Sequence, residues 1–247
     1  MKRKKKAESD TANVGYNSFS ETSIWALYPN TINILQAQRL IPKTAIDRRD
    51  AYEKNRGLNA TIILLSALSI EGFLVDCLST FMPGSRIHLD DNFQSRLDFE
   101  FTKRVVNATF SDFPELFTLT LGKPLSKLIK DQSLVAGVLR LIDFRNGLAH
   151  SRPVVYLGLD HEFTTVDGAT DYMTEYKMDK QYETVHAYLE ARGLIFERQD
   201  LFRDDIADHF VGFVRPYMDA VLLLLPADNV SSVKHLVATA FRKPSQW

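Results

Sequence analysis

Apolar residues recur at intervals of three and four between Ala45 and Phe81, and this pattern constrains the fold more than any other feature of the chain. Such spacing predicts one long helix whose broad apolar face must be buried against other helices. Pro83-Gly84 is expected to stop it. Helical spacing also predicts further helices at Ile32–Leu40, Leu125–His150, Met178–Arg192, Asp204–Leu225 and Val230–Phe241. The sequence therefore predicts an all-α helical bundle.

The segments between these helices are less regular. Phe93–Ala108 is compatible with a short helix, whereas the alternation in Phe110–Leu121 favours a strand or irregular structure. Val154–Leu159 is a short apolar run typical of a strand, and residues 160–177 predict a loop or a small hairpin. We therefore expect the bundle to carry a small irregular or β insertion.

The composition predicts a folded, globular protein. Apolar residues make up 45% of the 247 residues and charged residues 25%, which is average for such proteins. Residues 1–15 begin with a run of basic residues and predict a disordered tail, either simply solvated or adding affinity for a nucleic-acid backbone. Residues 16–247 are expected to form a single helical domain. The formal net charge of -1 argues against a protein that coats nucleic acid through bulk charge, but it does not exclude a local site.

Several features predict a cytoplasmic protein without a membrane partner. Met1–Lys6 is basic but no apolar stretch follows it, so no secretory signal is recognised. The two most apolar windows, Thr61–Leu78 and Phe210–Leu225, each contain charged residues, unlike a membrane-spanning helix. Cys77 is the single cysteine, which fits a reducing compartment and a small core residue. No glycine-rich phosphate loop is present, so no nucleotide cofactor is expected.

Polar residue types suited to catalysis lie close together at the end of the Leu125–His150 helix, where Arg145, Asn146 and His150 fall within six residues. Arginine clamps phosphate through a fork of N–H donors, and histidine changes its protonation near neutral pH. Asn146 and His150 are four residues apart and share one face of a helix, whereas Arg145 is rotated from His150 by roughly 140°. A base, an acid and a cation are what cleavage of RNA by its own 2′-hydroxyl requires.

The same residues also permit a purely structural interpretation. Arg145 and His150 can cap helix carbonyls and pair with Glu71 or Asp143. Glu71 either lies on a solvent stripe of the long helix or turns inward to hold Arg145 or His150. The spacing alone is a weak indicator, because Arg203 and His209 show a similar one.

The run Arg145-Asn146-Gly147-Leu148-Ala149-His150 resembles the RNxxxH form of the Rx4-6H motif of HEPN domains, an all-α superfamily rich in ribonucleases. The upstream run from Ala67 to Leu78 is similar to a long family helix that carries an acidic residue facing the motif. The resemblance covers a motif core of about residues 55–151 and part of the C-terminal helices at about 178–241. Residues 85–122 and 152–203 lie outside it.

This resemblance implies a HEPN-like bundle, a homodimer with paired motifs, and metal-independent endoribonuclease activity. Arg145 and His150 would be catalytic, Asn146 would support catalysis, and Glu71 would tune or position them. Such ribonucleases occur in toxin–antitoxin and phage-defence systems, which implies RNA as substrate and an antitoxin or another regulatory protein as partner. Some members act instead as binding or dimerising modules, so a non-catalytic dimer that binds nucleic acid or protein is the alternative.

One other cluster has the composition of a metal site. Asp205, Asp208 and His209 share one face at the start of a predicted helix. Acidic residues also collect at helix starts because they cap free N–H groups and complement the helix dipole. We favour this capping role, since no partner ligands at suitable spacing occur elsewhere, and we expect neither a metal nor another cofactor.

Overall fold

The computed structural model describes residues 23–41, 47–81, 100–150, 155–164, 170–195, 200–226 and 231–242. A 3-10 helix at Ile24–Leu27 leads directly into the first α-helix. The α-helices are Tyr28–Ala37 (α1), Asp47–Ser79 (α2), 100–106 (α3), Phe113–Leu121 (α4), Leu125–Leu128 (α5), Gln132–Ala149 (α6), Lys180–Glu190 (α7), Asp204–Leu222 (α8) and Ser231–Ala240 (α9). The prediction of a mostly α-helical fold is confirmed.

Helix α2 is the centre of the bundle, because it packs against α1, α6 and α8. Its apolar face joins one continuous core with the apolar faces of its neighbours. The largest fully buried side chains of this core are those of Tyr182, Phe73, Phe117, Phe144, Phe210, Ile62 and Ile63. By length and composition alone, Asp50–Ser79 is long and apolar enough to cross a membrane, but 56% of its most apolar window is buried inside the protein, as in the core helix of a globular bundle.

The predicted insertion is a two-stranded antiparallel hairpin. Strand β1 spans Val155–Thr164 and strand β2 spans Thr170–Met178, with the register running from Val155 opposite Met178 to Thr164 opposite Thr170. The pairing shifts between Leu157 and Asp160. The strand expected at Val154–Leu159 is confirmed from Val155 onward. Of the loop and the small hairpin predicted for residues 160–177, the structure has the hairpin.

The expectation of a strand or irregular structure at Phe110–Leu121 is wrong. Residues Phe113–Leu121 form α4, with Pro114 in its first turn and Gly122 at a φ of 77° after its end. The buried side chains Phe113, Leu116 and Phe117 follow helical spacing. The overlooked signals were Pro114 and Gly122, because proline is favoured in the first turn of a helix and glycine directly after the last turn.

The helix predicted at Leu125–His150 is two helices. The chain is extended at Ile129, and Asp131 caps a new start by accepting hydrogen bonds from the backbone N–H groups of Ser133 and Leu134 at 3.0 and 3.1 Å. The Ser133 hydroxyl also donates to Asp131 at 2.6 Å, and together with the backbone bonds it holds the pKa of the Asp131 carboxyl below its ordinary value. The cap therefore sets the start of α6, the helix that ends at the motif. The predicted tail at 1–15, Pro83-Gly84 and residues 93–99 lie outside the described residues.

Candidate active site

An ion pair between α2 and α6 holds the motif arginine. The Arg145 guanidinium donates through Nη2 to Glu71 Oε2 at 2.8 Å. The Glu71 side chain is 15% exposed and that of Arg145 is 27% exposed. Burial raises the pKa of Glu71, although the charge and hydrogen bond of Arg145 act to lower it. Glu71 therefore turns inward, and its pairing with Arg145 was one of the two alternatives that the sequence left open.

Asn146 extends this pair towards the tip of α6. Its side-chain oxygen Oδ1 accepts a second hydrogen bond from Arg145, through Nη1 at 2.9 Å. These two contacts use two of the five N–H donors of the guanidinium. Arg145 is thus held in one orientation by two acceptors, and part of its donor fork stays available at a partly exposed position.

His150 is the C-cap residue of α6 and is exposed. Its backbone N–H donates to the carbonyl oxygen of Asn146 at 3.2 Å, which places the two residues one helical turn apart. Its imidazole has no hydrogen-bond or ion-pair partner among the described residues. The structure therefore joins Glu71, Arg145 and Asn146 by direct contacts, and leaves the imidazole of His150 open to solvent beside them.

Asp143, which the sequence also suggested as a supporting residue that could pair with Arg145 or His150, does not join this group. Its carboxylate pairs with Arg140 at 2.5 Å, within one turn of α6. The i, i+3 spacing brings these two side chains together on the helix surface. Asp143 points to the same outer side of α6 as Asn146 and His150 by helical periodicity, but its charge is matched by Arg140 and not by Arg145.

Gly147 has a packing function within the motif. A methyl group at Gly147 would lie 2.8 Å from Cζ of Tyr182, closer than real contacts allow. Tyr182, from α7, is 2% exposed and packs edge-on against Phe144 with ring centres 5.8 Å apart. The glycine therefore lets α7 approach the end of α6, which explains a residue that weakens the helix by about 1 kcal/mol relative to alanine.

A second glycine positions the α2 side of the site. Gly72 follows Glu71 and is covered by Trp25, whose Cβ would lie 2.7 Å from a methyl group there. The Trp25 indole N–H donates to Asp76 at 2.6 Å. Burial raises the pKa of Asp76, against the lowering effect of its hydrogen bonds from Ser23 and Trp25. The contacts of Trp25 with Gly72 and Asp76 therefore hold in place the segment of α2 that carries Glu71.

The acidic residues at the start of α8 are paired with cations or amides. Asp204 accepts hydrogen bonds from Asn59 at 2.8 Å, Asp208 pairs with Arg39 at 2.7 Å, and Asp205 pairs with Arg203 at 2.6 Å. Within the described ranges, no group of three or more His, Cys, Asp and Glu side chains is arranged to hold a metal ion. The favoured capping role is not seen among the described residues, since Arg203 is the N-cap residue of α8 and makes no side-chain cap hydrogen bond. Asp204 and Asp208 instead tie α8 to α2 and to the chain just after α1.

Cys77 is fully buried in the core, as expected for a structural residue. Burial raises the pKa of its thiol well above the ordinary value, and the charge of Asp76 adds to that rise. A thiol with a raised pKa is a poor nucleophile, because the thiolate is the reactive form.

No protein-family model matches the chain, and comparisons with curated proteins and with solved structures return no significant match either.

Sequence reasoning found the members of the candidate site but missed two of its supports. The close approach of Tyr182 to Gly147 and of Trp25 to Gly72 joins residues 35 and 47 positions apart in the chain. A glycine inside an otherwise regular helix was the available signal, since it often marks a close packing contact.

Proposed function

We propose that the protein is a metal-independent endoribonuclease whose active site lies at the C-terminal tip of α6. The observation that supports it best is the Glu71–Arg145–Asn146 network, which holds a guanidinium at the surface one turn before the exposed His150. A permanent cation and an imidazole side chain thus both belong to the last turn of α6, and phosphodiester cleavage without a metal needs groups of both kinds.

Arg145 would stabilise the charge that develops on phosphorus. Its two fixed hydrogen bonds leave donors for the non-bridging phosphate oxygens, and prior orientation lowers the entropy lost on binding. Glu71 holds the guanidinium in one orientation through its hydrogen bond. Donors that are already oriented towards the phosphorus can stabilise the charge of the transition state without reorganisation during the reaction.

His150 would transfer the protons. In the proposed step the 2′-oxygen of the RNA attacks phosphorus while an imidazole removes the 2′-hydroxyl proton. The bond from phosphorus to the 5′-oxygen breaks as a second, protonated imidazole donates to the leaving oxygen. The products are a 2′,3′-cyclic phosphate and a 5′-hydroxyl end.

The need for two imidazoles favours a homodimer with two copies of His150 at a composite site. Leu139 is 41% exposed and lies on the same outer stripe of α6 as Asn146 and His150. An exposed apolar residue on the stripe that carries the candidate catalytic groups supports this stripe as the contact between protomers.

The proposed setting is a cytoplasmic toxin or phage-defence effector with a HEPN-like bundle, controlled by an antitoxin or another regulatory protein. The rival function is a non-catalytic dimer that binds nucleic acid or a protein partner. For this rival, Arg145 would be a structural residue of the α2–α6 packing, consistent with its ion pair to Glu71.

An RNA-cleavage assay in the presence of a chelator distinguishes the two. We expect the full chain to cleave single-stranded RNA and leave cyclic phosphate ends, and we expect Arg145→Ala and His150→Ala to lose cleavage by about 100-fold or more. His235→Ala is the matched control, because His235 is an exposed histidine on α9 outside the site. Equal cleavage by all variants contradicts the assignment, and RNA binding without cleavage by the wild type supports the rival.

A further inference from the structure

A second cluster of cationic and aromatic side chains lies between α6, α7 and α8. The Tyr188 hydroxyl of α7 is 3.4 Å from Nε2 of His209 on α8. The guanidinium of Arg192 lies 3.7 Å from the centre of the Tyr188 ring, on the chain just after α7. His209 also packs against Phe213, with ring centres 4.8 Å apart. An arginine, a tyrosine and a histidine thus form one contiguous group, with the arginine over the tyrosine ring and the histidine at its hydroxyl.

Arg192 is an exposed cation with no acidic partner among the described residues. It donates one hydrogen bond, through Nη1 to the backbone oxygen of Tyr188 at 3.3 Å, which caps the end of α7. The remaining N–H donors of the guanidinium have no acceptor in the part of the chain that the structure describes. Capping explains the hydrogen bond of Arg192 to the Tyr188 carbonyl oxygen, but it does not explain why the exposed guanidinium lies flat on the Tyr188 ring.

Arg140 adds a second positive charge to the group. It lies on α6, where it forms its ion pair with Asp143. Gly137, one turn earlier on α6, lies against Phe213, the ring that packs on His209, and the charges of Arg192 and Arg140 both lower the pKa of the Tyr188 hydroxyl. Burial acts in the opposite direction and raises the pKa of Tyr188. Burial also lowers the pKa of His209, as does the charge of Arg192. Arg140 is paired with Asp143 and Arg192 has no acidic partner among the described residues, so the group carries an unmatched positive charge.

This charge balance favours an anion, and the aromatic side chains favour a nucleotide. RNA strands are bound by arginines that contact phosphate and by guanidinium planes or aromatic rings on which bases stack. Arg140 and His150 are ten residues apart on α6, about 15 Å along the helix axis. A strand that reaches one of these positions can extend along the surface to the other.

We propose that Arg140, Tyr188, Arg192 and His209 form a second RNA-contacting subsite, in which each arginine binds a different phosphate of the strand that is cleaved at His150. This inference rests on the proposed function, because its ligand is the same single-stranded RNA. Arg192 stacks between Tyr188 and a base, and Arg140 exchanges part of its pairing with Asp143 for its phosphate. The subsite positions the strand and takes no part in the cleavage step.

The test is a titration of a labelled single-stranded RNA oligonucleotide against full-length protein, followed by fluorescence anisotropy over a series of salt concentrations. The His150→Ala background prevents cleavage during the measurement. For a single strand, each phosphate contact contributes about 0.7 to the slope of log affinity against log salt. We therefore expect Arg192→Ala to weaken binding and to reduce that slope by about 0.7, and the double variant with Arg140→Ala to reduce it by about 1.4.

Two further variants control the interpretation. Arg215→Ala removes an arginine of α8 that also lies over an aromatic ring, Phe241, and pairs with an acid, Asp219; its slope should equal that of the background. Arg192→Lys keeps the charge but loses the flat stacking surface, so it should retain the slope while binding more weakly. Circular dichroism melting confirms that each variant is folded.

The outcomes separate this inference from the proposed function. If Arg192→Ala and Arg215→Ala bind alike, the subsite is refuted while cleavage by the wild type is unaffected. If binding depends on Arg192 but the wild type does not cleave RNA, the subsite stands and the nuclease proposal fails. If the background and the wild type bind no RNA at any salt concentration, the subsite is overturned whatever the result of the cleavage assay.

Discussion

Replacing Gly147 with alanine tests the packing that brings α7 to the tip of α6. The new methyl group would lie 2.8 to 3.1 Å from three atoms of the Tyr182 ring. The ring is 2% exposed and packs against Phe144, which also contacts Phe202 and Phe210. Because the ring is rigid and enclosed, it cannot rotate away from the methyl group, and α7 must shift.

Two opposing effects determine the size of the change. Alanine stabilises a helix interior by about 0.5–1 kcal/mol relative to glycine. Overpacking a close-packed core costs about 1–3 kcal/mol. Gly212 lies on the exposed side of α8, and a methyl group added there would have open space within 4 Å, so Gly212→Ala isolates the first effect. The difference between the two variants should therefore equal the overpacking energy, about 1–3 kcal/mol.

Urea unfolding followed by circular dichroism measures both variants against the wild type. We expect Gly212→Ala to have a higher free energy of unfolding than the wild type. The free energy of unfolding of Gly147→Ala should be about 1–3 kcal/mol lower than that of Gly212→Ala. A Gly147→Ala protein as stable as Gly212→Ala would refute the argument that Tyr182 requires a glycine at this position.

Three further predictions concern charge, assembly and reactivity. Burial raises the pKa of Glu71, so the folded state binds the Glu71 proton more tightly than the unfolded chain does. The wild type should therefore lose stability relative to Glu71→Gln as the pH rises from about 4 to about 7. Urea unfolding at several pH values checks this, and a difference in unfolding free energy that does not change with pH contradicts it. Leu139→Asp should convert the proposed homodimer to a monomer by light scattering, whereas Leu223→Asp, at an 85% exposed position, should not. Cys77, fully buried, should react with a thiol reagent only after denaturant is added, and rapid labelling of the native protein would show that the core opens.

Local patterns were sufficient for most of the helices and for the members of the site. The spacing of apolar residues located α2 and the C-terminal helices within a few positions of their observed ends. The order of Arg145, Asn146 and His150 on one helix end follows from the sequence, because helix geometry relates neighbouring residues directly. In the misinterpreted segment, Phe113–Leu121, the apolar residues Phe117, Leu119 and Leu121 alternate with threonines. This alternation does not reflect burial, because Leu119 is 62% exposed.

The sequence by itself determined a helical chain that brings an arginine, an asparagine and a histidine to one helix end. Only the tertiary structure decided that Glu71 faces Arg145, and that Tyr188 and Arg192 meet His209. The physical reason is that side chains a few residues apart are related by the backbone, whereas contacts across 74 positions, as between Glu71 and Arg145, depend on how whole helices pack.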